Sequence, residues 1–522
     1  MTKHGVKNPP NGVESPDSRP GGTAAGPVET GSSEPVSDVV ASSEGAGVLR
    51  RGARGAFALA VRQLLVQGLS LVGAVVLARV LTPAEFGVYG ITVFLMHFLV
   101  VFGDAGLAAG LVRESEEPDE RDWRAVFTFQ QVLVVGVSIV GAVVGPWMAV
   151  TIASETDLRP LVPATLAALV LASFQTVPIA RLERRLDFGA LAIVEVAQSV
   201  AFNVVAIACA LAGLGTVTMA AALVARAAVG AVAVRFVAPL PLGWAWDWSR
   251  VKPRLGFGMS FQGASLLTLL RDAMLPVYVG ALLGEAVVGG LFWARMLAAY
   301  PLIVVYMLQR LLLPLFARLQ GHRGELRRAV ELSLFAVAVL VVPAQTTIWA
   351  LQEPLTRLVF GEQWLASLPV YRVFWFAVVL EPQLVVALAL MNALGRADRT
   401  LRFFAWITVG TWVAGVPLLV LFGPTGYAMA SLCMVGVKWS LVREADAASS
   451  VDSLRVVAPA WGAGLVSALV TMMLARIVEP TGLVALAALA TAALVAYAAA
   501  LAAFAPVRTR QALAWVRSEV GR

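Results

Sequence analysis

Long stretches without a single charged residue recur along this 522-residue chain. They include residues 125–154, 196–225, 403–437, 456–475 and 480–507. An uncharged apolar stretch of about 18 or more residues is long enough to cross a bilayer as a helix. Only 14% of the residues are charged, whereas soluble domains average about 25%. The chain is therefore predicted to be an all-α protein that crosses a membrane many times.

The apolar stretches and the turns between them predict fourteen transmembrane spans. The longest stretch is too long for one helix, and the turn-forming sequence Phe-Gly-Pro-Thr-Gly at residues 422–426 divides it. The predicted spans lie near residues 56–80, 86–110, 125–152, 161–180, 188–213, 216–237, 255–283, 287–314, 329–351, 368–394, 403–421, 425–442, 456–477 and 482–505.

Arginine and lysine are concentrated in alternate connections between these spans. Short basic loops favour the cytoplasmic side, so the pattern predicts a plasma-membrane protein with both termini in the cytoplasm. The opposite connections, such as residues 81–85 and 213–216, are nearly free of positive charge, with Arg159 and Arg357 as exceptions. The basic sets are Arg113, Arg121 and Arg124; Arg181, Arg184 and Arg185; Arg250, Lys252 and Arg254; Arg318, Arg323, Arg327 and Arg328; Arg396, Arg399 and Arg402; and Lys438, Arg443 and Arg455.

The distribution of spans predicts five regions. Residues 1–49 are rich in Gly, Pro, Ser and acidic residues without an apolar run, which predicts a disordered cytoplasmic tail. Residues 50–238 and 239–444 each hold six predicted spans and form an N-terminal and a C-terminal lobe. Two additional spans follow in residues 445–507, and residues 508–522 form a second cytoplasmic tail.

The two predicted lobes share a weak internal repeat. Residues 81–87 (Leu-Thr-Pro-Ala-Glu-Phe-Gly) join the first two spans, and residues 283–289 (Leu-Gly-Glu-Ala-Val-Val-Gly) join spans seven and eight. In each segment a leucine and a glycine stand six residues apart. Since six spans separate them, the copies have the same orientation, which implies lobes related by an axis along the membrane normal. The alternative is that any transmembrane hairpin has this form.

The sequence lacks the patterns of several common chemistries. It has no GxxxxGK[ST] phosphate-binding loop, and its three histidines do not have metal-ligand spacing. Cys209 and Cys433 lie in predicted spans without a pairing pattern. The net charge of +7 resides in loops between spans, which argues against nucleic acid as a partner. These features predict a protein that is not an enzyme, without catalytic residues, metal or cofactor, and they favour a transporter.

Four charged residues inside predicted spans are the main candidates for a substrate cavity. Arg62 lies in the first span, Arg271 and Asp272 in the seventh, and Arg295 in the eighth. Ionisable residues at this depth usually face a bundle interior or a wet cavity. Because neighbours on a helix point in different directions, at least one of Arg271 and Asp272 should find a partner on another helix. Arginines in a cavity would suit an anionic substrate such as a phosphate. The alternative is structural pairing, or snorkelling to the interface.

Two carboxylates are candidates for ion coupling. Glu195 in the fifth span is predicted either to serve this role or to pair with Arg226 in the sixth. Glu381 precedes Pro382, which interrupts the hydrogen bonding of a helix. Glu381 is therefore a candidate proton or cation site, with a structural kink as the alternative.

Several ordered motifs resemble those of a known transporter family. Residues 76–89 read Val-Leu-Ala-Arg-Val-Leu-Thr-Pro-Ala-Glu-Phe-Gly-Val-Tyr, and residues 102–107 read Phe-Gly-Asp-Ala-Gly-Leu. The chain resembles the polysaccharide exporters, or lipid-linked oligosaccharide flippases, of the MOP superfamily, especially the fourteen-helix branch of colanic-acid and teichuronic-acid exporters. The resemblance covers about residues 50 to 440. Further matches lie at residues 175–178, 181–188, 255–258, 283–289, 314–318 and 360–364.

The resemblance implies two six-helix lobes around a central cavity that opens alternately to each side. It implies an undecaprenyl-diphosphate-linked oligosaccharide as substrate, moved from the inner to the outer leaflet, with membrane lipids and polysaccharide polymerase or synthesis enzymes as partners. Related lipid II flippases carry cavity arginines on the first helices and on helix 8, which Arg62 and Arg295 match by helix only. The family often has Asn and Asp together on helix 7, whereas here Arg271 precedes Asp272.

Two other functions are compatible with the sequence. A drug or cation antiporter of the same superfamily would need a cavity dominated by carboxylates and aromatic rings, and the arginine-bearing spans argue against it. A membrane scaffold for polysaccharide synthesis, without transport, would use the N-terminal tail to recruit partners. Replacing Arg271, Asp272 and Arg295 by uncharged residues distinguishes a scaffold from a transporter.

Overall fold

The fold was analysed in a computed structural model that describes residues 67–104, 106–107, 111, 117–152, 158–185, 187–239 and 243–506. Within these residues the secondary structure is helical, and no strand occurs. The predicted N-terminal tail and Arg62 lie outside the described residues, as does all of the predicted C-terminal tail.

The structure describes six helices in the first half of the chain. A helix at the end of the first predicted span is followed by five longer ones. Their bounds are α1 (Gln67–Val80), α2 (Pro83–Asp104), α3 (Glu120–Ile152), α4 (Leu161–Arg184), α5 (Phe188–Leu211) and α6 (Val217–Val237).

The second half contains several interrupted helices, each of which we number as one element. They are α7 (Trp248–Asp272, the π-helix Met274–Val279 and Gly280–Leu283), α8 (Glu285–Ala299, Tyr300–Leu302 and Ile303–Leu319), α9 (Arg323–Ala350), α10 (Leu368–Val378 and Glu381–Ala393), α11 (Ala397–Phe422), α12 (Pro424–Cys433 and Val435–Ser449), α13 (Ser453–Val478) and α14 (Leu483–Phe504). Short helical turns fill Gln352–Leu355, Thr356–Phe360 and Glu362–Ser367 between α9 and α10.

These helices confirm the predicted all-α membrane fold. Ten helices within the described part of the chain are long and apolar enough to cross a membrane. Large apolar side chains point outward from them, as at Val143 and Trp147 of α3 and Val484 of α14. Large apolar surfaces of this kind mark contact with a membrane or with another protein. A helix lies in each predicted range, while fourteen crossings stay a prediction.

The start of α2 shows why a span begins where it does. Thr82 and Glu85 form a capping box, in which the Thr82 amide donates to Glu85 Oε2 at 2.8 Å and the Glu85 amide donates to Thr82 Oγ1 at 3.3 Å. Pro83 occupies the first helical position, where its missing N–H costs nothing. The Leu-Thr-Pro-Ala-Glu motif is therefore a helix start, and α2 begins three residues before its predicted position.

Helix packing groups the segments largely by their order in the chain. In the first half α2, α3 and α4 contact one another, and α6 packs against α4 and α5. In the second half α8 packs against α9 and α10, and α12 packs against α10 and α11. Helix α13 packs against α9 and α14. Contacts of α2 with α7 and α8 join the two halves, and the division into lobes stays a prediction.

Candidate functional site

The two halves of the chain make their closest contact where α2 crosses α8. An ideal Cβ added to Gly87 would lie 3.0 Å from the amide nitrogen of Gly289, and one added to Gly289 would lie 2.8 Å from that of Gly87. Real Cβ atoms are essentially never found closer than 3.0 Å to such atoms. The helices therefore approach at backbone distance. This crossing lies at the end of the bundle that the loop charges predict to be external.

Aromatic rings surround the crossing and seal the same end. Trp293 of α8 stacks on Trp364 with ring centroids 5.3 Å apart, and Phe86 of α2 meets the edge of Trp364 at 5.1 Å. All three side chains are buried. Trp364 Nε1 donates to the carbonyl of Ala78 in α1 at 2.8 Å, and Gln363 Nε2 donates to the same oxygen at 3.0 Å. The segment before α10 thus ties α1 to the second half of the chain.

Arg271, Asp272 and Arg295 form one charged cluster on α7 and α8. Asp272 Oδ1 lies 3.0 Å from Arg271 Nη2 and 3.5 Å from Arg295 Nη1. Tyr427 of α12, which is buried, lies near Arg295. The structure therefore brings together three of the four predicted cavity residues.

The pairing within α7 differs in one respect from the expectation. Arg271 and Asp272 are neighbours that pair with each other, in addition to the interhelical contact of Asp272 with Arg295. The regular α-helix ends at Asp272 and continues as the π-helix Met274–Val279. At a helix end the long arginine side chain can turn towards the next residue. Helical periodicity does not predict this pairing, because it describes an uninterrupted helix.

The charge and exposure of this cluster suit an anion. Two guanidinium groups and one carboxylate leave one net positive charge. The side chains of Arg271, Asp272 and Arg295 are 30%, 23% and 41% exposed, so none of them is fully enclosed by protein. A guanidinium that is partly satisfied by a carboxylate still has N–H donors available for a phosphate.

A cavity of about 410 Å³ lies within the first half of the chain, between α1, α2 and α4 to α6. Its polar wall includes Gln175 and Gln198, joined by a 2.5 Å hydrogen bond, together with His97 and Arg226. Arg226 makes no ion pair with any residue that the structure describes, so the predicted pairing with Glu195 is not observed. Glu195 lies half-buried on α5.

Arg226 shares the sequence signal of the predicted cavity residues. It stands ten residues into an apolar helix, where an arginine is costly unless it faces a cavity. The same signal that selected Arg271 therefore applied to it. What the sequence did not show was which helices enclose the arginine.

Glu381 occupies a break in α10 and is paired. Lys438 of α12 lies 2.5 Å from Glu381 Oε1, and its Nζ also donates to the carbonyl of Ala377 at 2.8 Å. Lys438 was assigned to a basic cytoplasmic loop from the sequence, but the structure buries it inside the helix bundle. Ion coupling through Glu381 or Glu195 stays a prediction.

An ion-pair network joins the starts of α3 and α7 at the end of the bundle predicted to be cytoplasmic. Arg250 lies 2.8 Å from Asp122 and 2.9 Å from Asp119, and Arg254 lies 3.1 Å from Asp122. The hydrogen bonds that the Arg250 guanidinium donates to Asp122 and then to Asp119 raise its pKa above its usual range. The network holds the two halves together opposite the glycine crossing.

Comparison with known proteins places this architecture in a family. The model of a family described as "Polysaccharide biosynthesis protein" matches residues 76–369, which is more than half of the chain. The chain belongs to this family. The match includes α2, α8 and the segment around Trp364, which together form the sealed end.

Two characterised relatives carry names related to polysaccharide transport. The chain is 25% identical over 414 residues to the succinoglycan biosynthesis transport protein ExoT of Rhizobium meliloti, covering 78% of this chain and 83% of that protein. It is 24% identical over 372 residues to the lipopolysaccharide biosynthesis protein WzxC of Escherichia coli, covering 68% and 74%. The chain is thus a multi-pass membrane protein of a polysaccharide biosynthesis and export family.

Solved structures show the same fold at low identity. The lipid II flippase MurJ aligns with a TM-score of 0.68 at 11% identity, over 86% of this chain and 98% of that protein. A multidrug resistance transporter of the MATE family and MOP superfamily aligns with a TM-score of 0.61 at 14% identity, over 74% and 95%. The predicted MOP-type architecture is therefore confirmed.

Proposed function

We propose that this chain is a flippase that moves an undecaprenyl-diphosphate-linked oligosaccharide from the inner to the outer leaflet of the plasma membrane. In this proposal both termini are cytoplasmic, and the transported lipid is delivered for export of a surface polysaccharide. The cycle makes and breaks no covalent bond, so the chain acts as a transporter and not as an enzyme.

The cluster of Arg271, Asp272 and Arg295 is the observation that carries the proposal. A sugar diphosphate cannot enter hydrocarbon without a large desolvation cost. Partly exposed guanidinium groups with one net positive charge offer the diphosphate charge-assisted hydrogen bonds in place of water. The polyprenyl chain would remain in the surrounding lipid.

The contacts between the two halves support alternating access. The glycine crossing and the rings around Trp364 seal one end of the bundle, and the Arg250 network holds the other end. Transport requires each closure to open in turn. A charge moved across the membrane contributes about 2.3 kcal/mol per 100 mV, which is sufficient to bias such a cycle without ATP.

The polarity of the cluster argues against the antiporter alternative. A site for cationic drugs would need an excess of negative charge, whereas this cluster carries an excess of positive charge. A scaffold without transport would not need a partly exposed cluster of charged side chains between α7 and α8.

The test is glycan export by a triple variant, Arg271→Gln, Asp272→Asn and Arg295→Gln, in a host that lacks its own exporter. We expect surface glycan to fall at least tenfold while the protein still inserts. The control is Arg455→Gln, which removes an 88% exposed charge and should leave export unchanged. Full export by the triple variant would exclude the cluster as the substrate site.

A further inference from the structure

The break in α10 leaves backbone carbonyls without their usual partners. The first part of the helix ends at Val378 and the second begins at Glu381. Pro382 has no N–H, so it cannot donate to the carbonyl four residues earlier. The last carbonyls of the first part, including that of Ala377, carry the partial negative charge of a helix C-terminus.

Lys438 supplies a cation at this break. Its Nζ donates to the carbonyl of Ala377 at 2.8 Å and to Glu381 Oε1 at 2.5 Å. The Lys438 side chain is only 11% exposed and that of Glu381 19%. Helix α12 is itself interrupted at Met434, four residues before Lys438. Two interrupted helices therefore meet around one ammonium group.

The chemistry of the break is that of a small-cation site. Interrupted transmembrane helices are where transporters coordinate sodium or protons, through carbonyls released from helical hydrogen bonding. Hard cations prefer oxygen ligands. Here a carboxylate oxygen and a released carbonyl oxygen converge on one position, and that position is filled by Nζ.

We propose that Glu381 and the carbonyl of Ala377 form a monovalent-cation site whose resident cation is the Lys438 ammonium. The native protein then needs no sodium or potassium at this position, because the cation is covalently attached to α12. The proposal does not depend on which substrate is transported. In a cation site a free cation can take the place of the lysine, whereas in an ordinary structural ion pair it cannot.

The substitution Lys438→Met tests the proposal. Methionine keeps most of the apolar stem but is one atom shorter, so it leaves the Nζ position open beside an unpaired carboxylate. The full-length protein is purified in detergent, and its melting temperature is measured as NaCl or KCl replaces choline chloride at constant ionic strength. We expect the melting temperature of the variant to rise by about 2 °C over a tenfold increase in sodium or potassium. Wild type should show no such rise.

The double variant Glu381→Gln/Lys438→Met is the matched control, because it has the same open position without the carboxylate. An equal response of the single and double variants to sodium and potassium would overturn the proposal. If Lys438→Met does not fold, Lys438→Ala is measured in the same salts. Failure of both to fold in all three salts would also overturn it, since a free cation should restore the missing charge.

Discussion

Gly87 of α2 and Gly289 of α8 lie in equivalent close contacts, in which a side chain added to either glycine would clash with the opposite helix. A Cβ on Gly87 would lie 1.9 Å from the carbonyl oxygen of Glu285, and a Cβ on Gly289 would lie 1.9 Å from that of Pro83. In both cases the obstructing residue stands four positions before the other glycine. The two copies of the sequence repeat therefore contact each other with local two-fold symmetry, and the contact requires that both lack a side chain.

Alanine at either glycine should prevent this closure. Neither carbonyl can move without shifting a helix, so Gly87→Ala or Gly289→Ala should destabilise the closed end by about 2 kcal/mol. We expect glycan export to fall at least tenfold, measured as surface glycan per amount of inserted protein. Gly136→Ala of α3 is the control, because nothing lies within 4 Å of its Cβ position. Wild-type export by both crossing variants would contradict a role for the crossing in transport.

The Trp364 side chain should contribute to the same closure through both its ring and its N–H. Trp364→Ala removes a fully buried ring and should lower the free energy of unfolding by about 4 kcal/mol. Trp364→Phe should cost only about 1 kcal/mol, because Gln363 still donates to the Ala78 carbonyl. Thermal unfolding in detergent measures both. Trp406→Phe, at a 66% exposed position, should have no effect, and equal losses at both sites would argue against the proposed packing.

The ion pair between Asp122 and Arg254 should show strong energetic coupling. Their side chains are only 13% and 11% exposed, and Arg250 also pairs with Asp122, so Asp122→Asn breaks two ion pairs and Arg254→Gln breaks one of these. Asp122→Asn should cost about 3 kcal/mol and Arg254→Gln less, and the double variant should cost less than the sum. Thermal unfolding of the four proteins gives the coupling. Additive losses would show that the two residues act independently.

The native Arg226 should support transport and at the same time lower the stability of the protein. It faces the cavity between α1, α2 and α4 to α6 and makes no ion pair with the described residues. Because no carboxylate in the described part of the chain pairs with it, removing this charge from membrane depth should stabilise the protein. Arg226→Gln should therefore raise the melting temperature and reduce export. A lower melting temperature would indicate instead that the arginine holds the cavity wall together.

The sequence predicted the helices because lipid imposes a simple rule on them. Apolar stretches and alternating loop charges were sufficient to place helices at residues as distant as 67 and 504. The Leu-Thr-Pro-Ala-Glu motif also identified the turn before α2. These signals are local, since backbone groups in a bilayer must be satisfied within each helix.

The site was less predictable because it depends on contacts distant in sequence and on helix irregularities. The sequence repeat makes Gly87 and Gly289 equivalent positions, but nothing near either glycine indicates that the two meet. Periodicity places Arg271 and Asp272 on different faces, but they lie at the end of the regular α-helix and pair with each other. The sequence alone predicts a loop position for Lys438, because its partner Glu381 lies 57 positions earlier.

The most direct test of the flippase proposal is lipid movement in reconstituted vesicles. The purified protein is placed in liposomes that contain a polyprenyl-diphosphate-linked oligosaccharide, and an impermeant glycosidase is added outside. With wild-type protein we expect the enzyme to digest nearly all of the glycan, because molecules from the inner leaflet become accessible. With the Arg271→Gln/Asp272→Asn/Arg295→Gln variant, digestion should stop at about half, as in protein-free vesicles. Digestion that stops at half with wild-type protein under an imposed membrane potential or ion gradient would contradict the proposal.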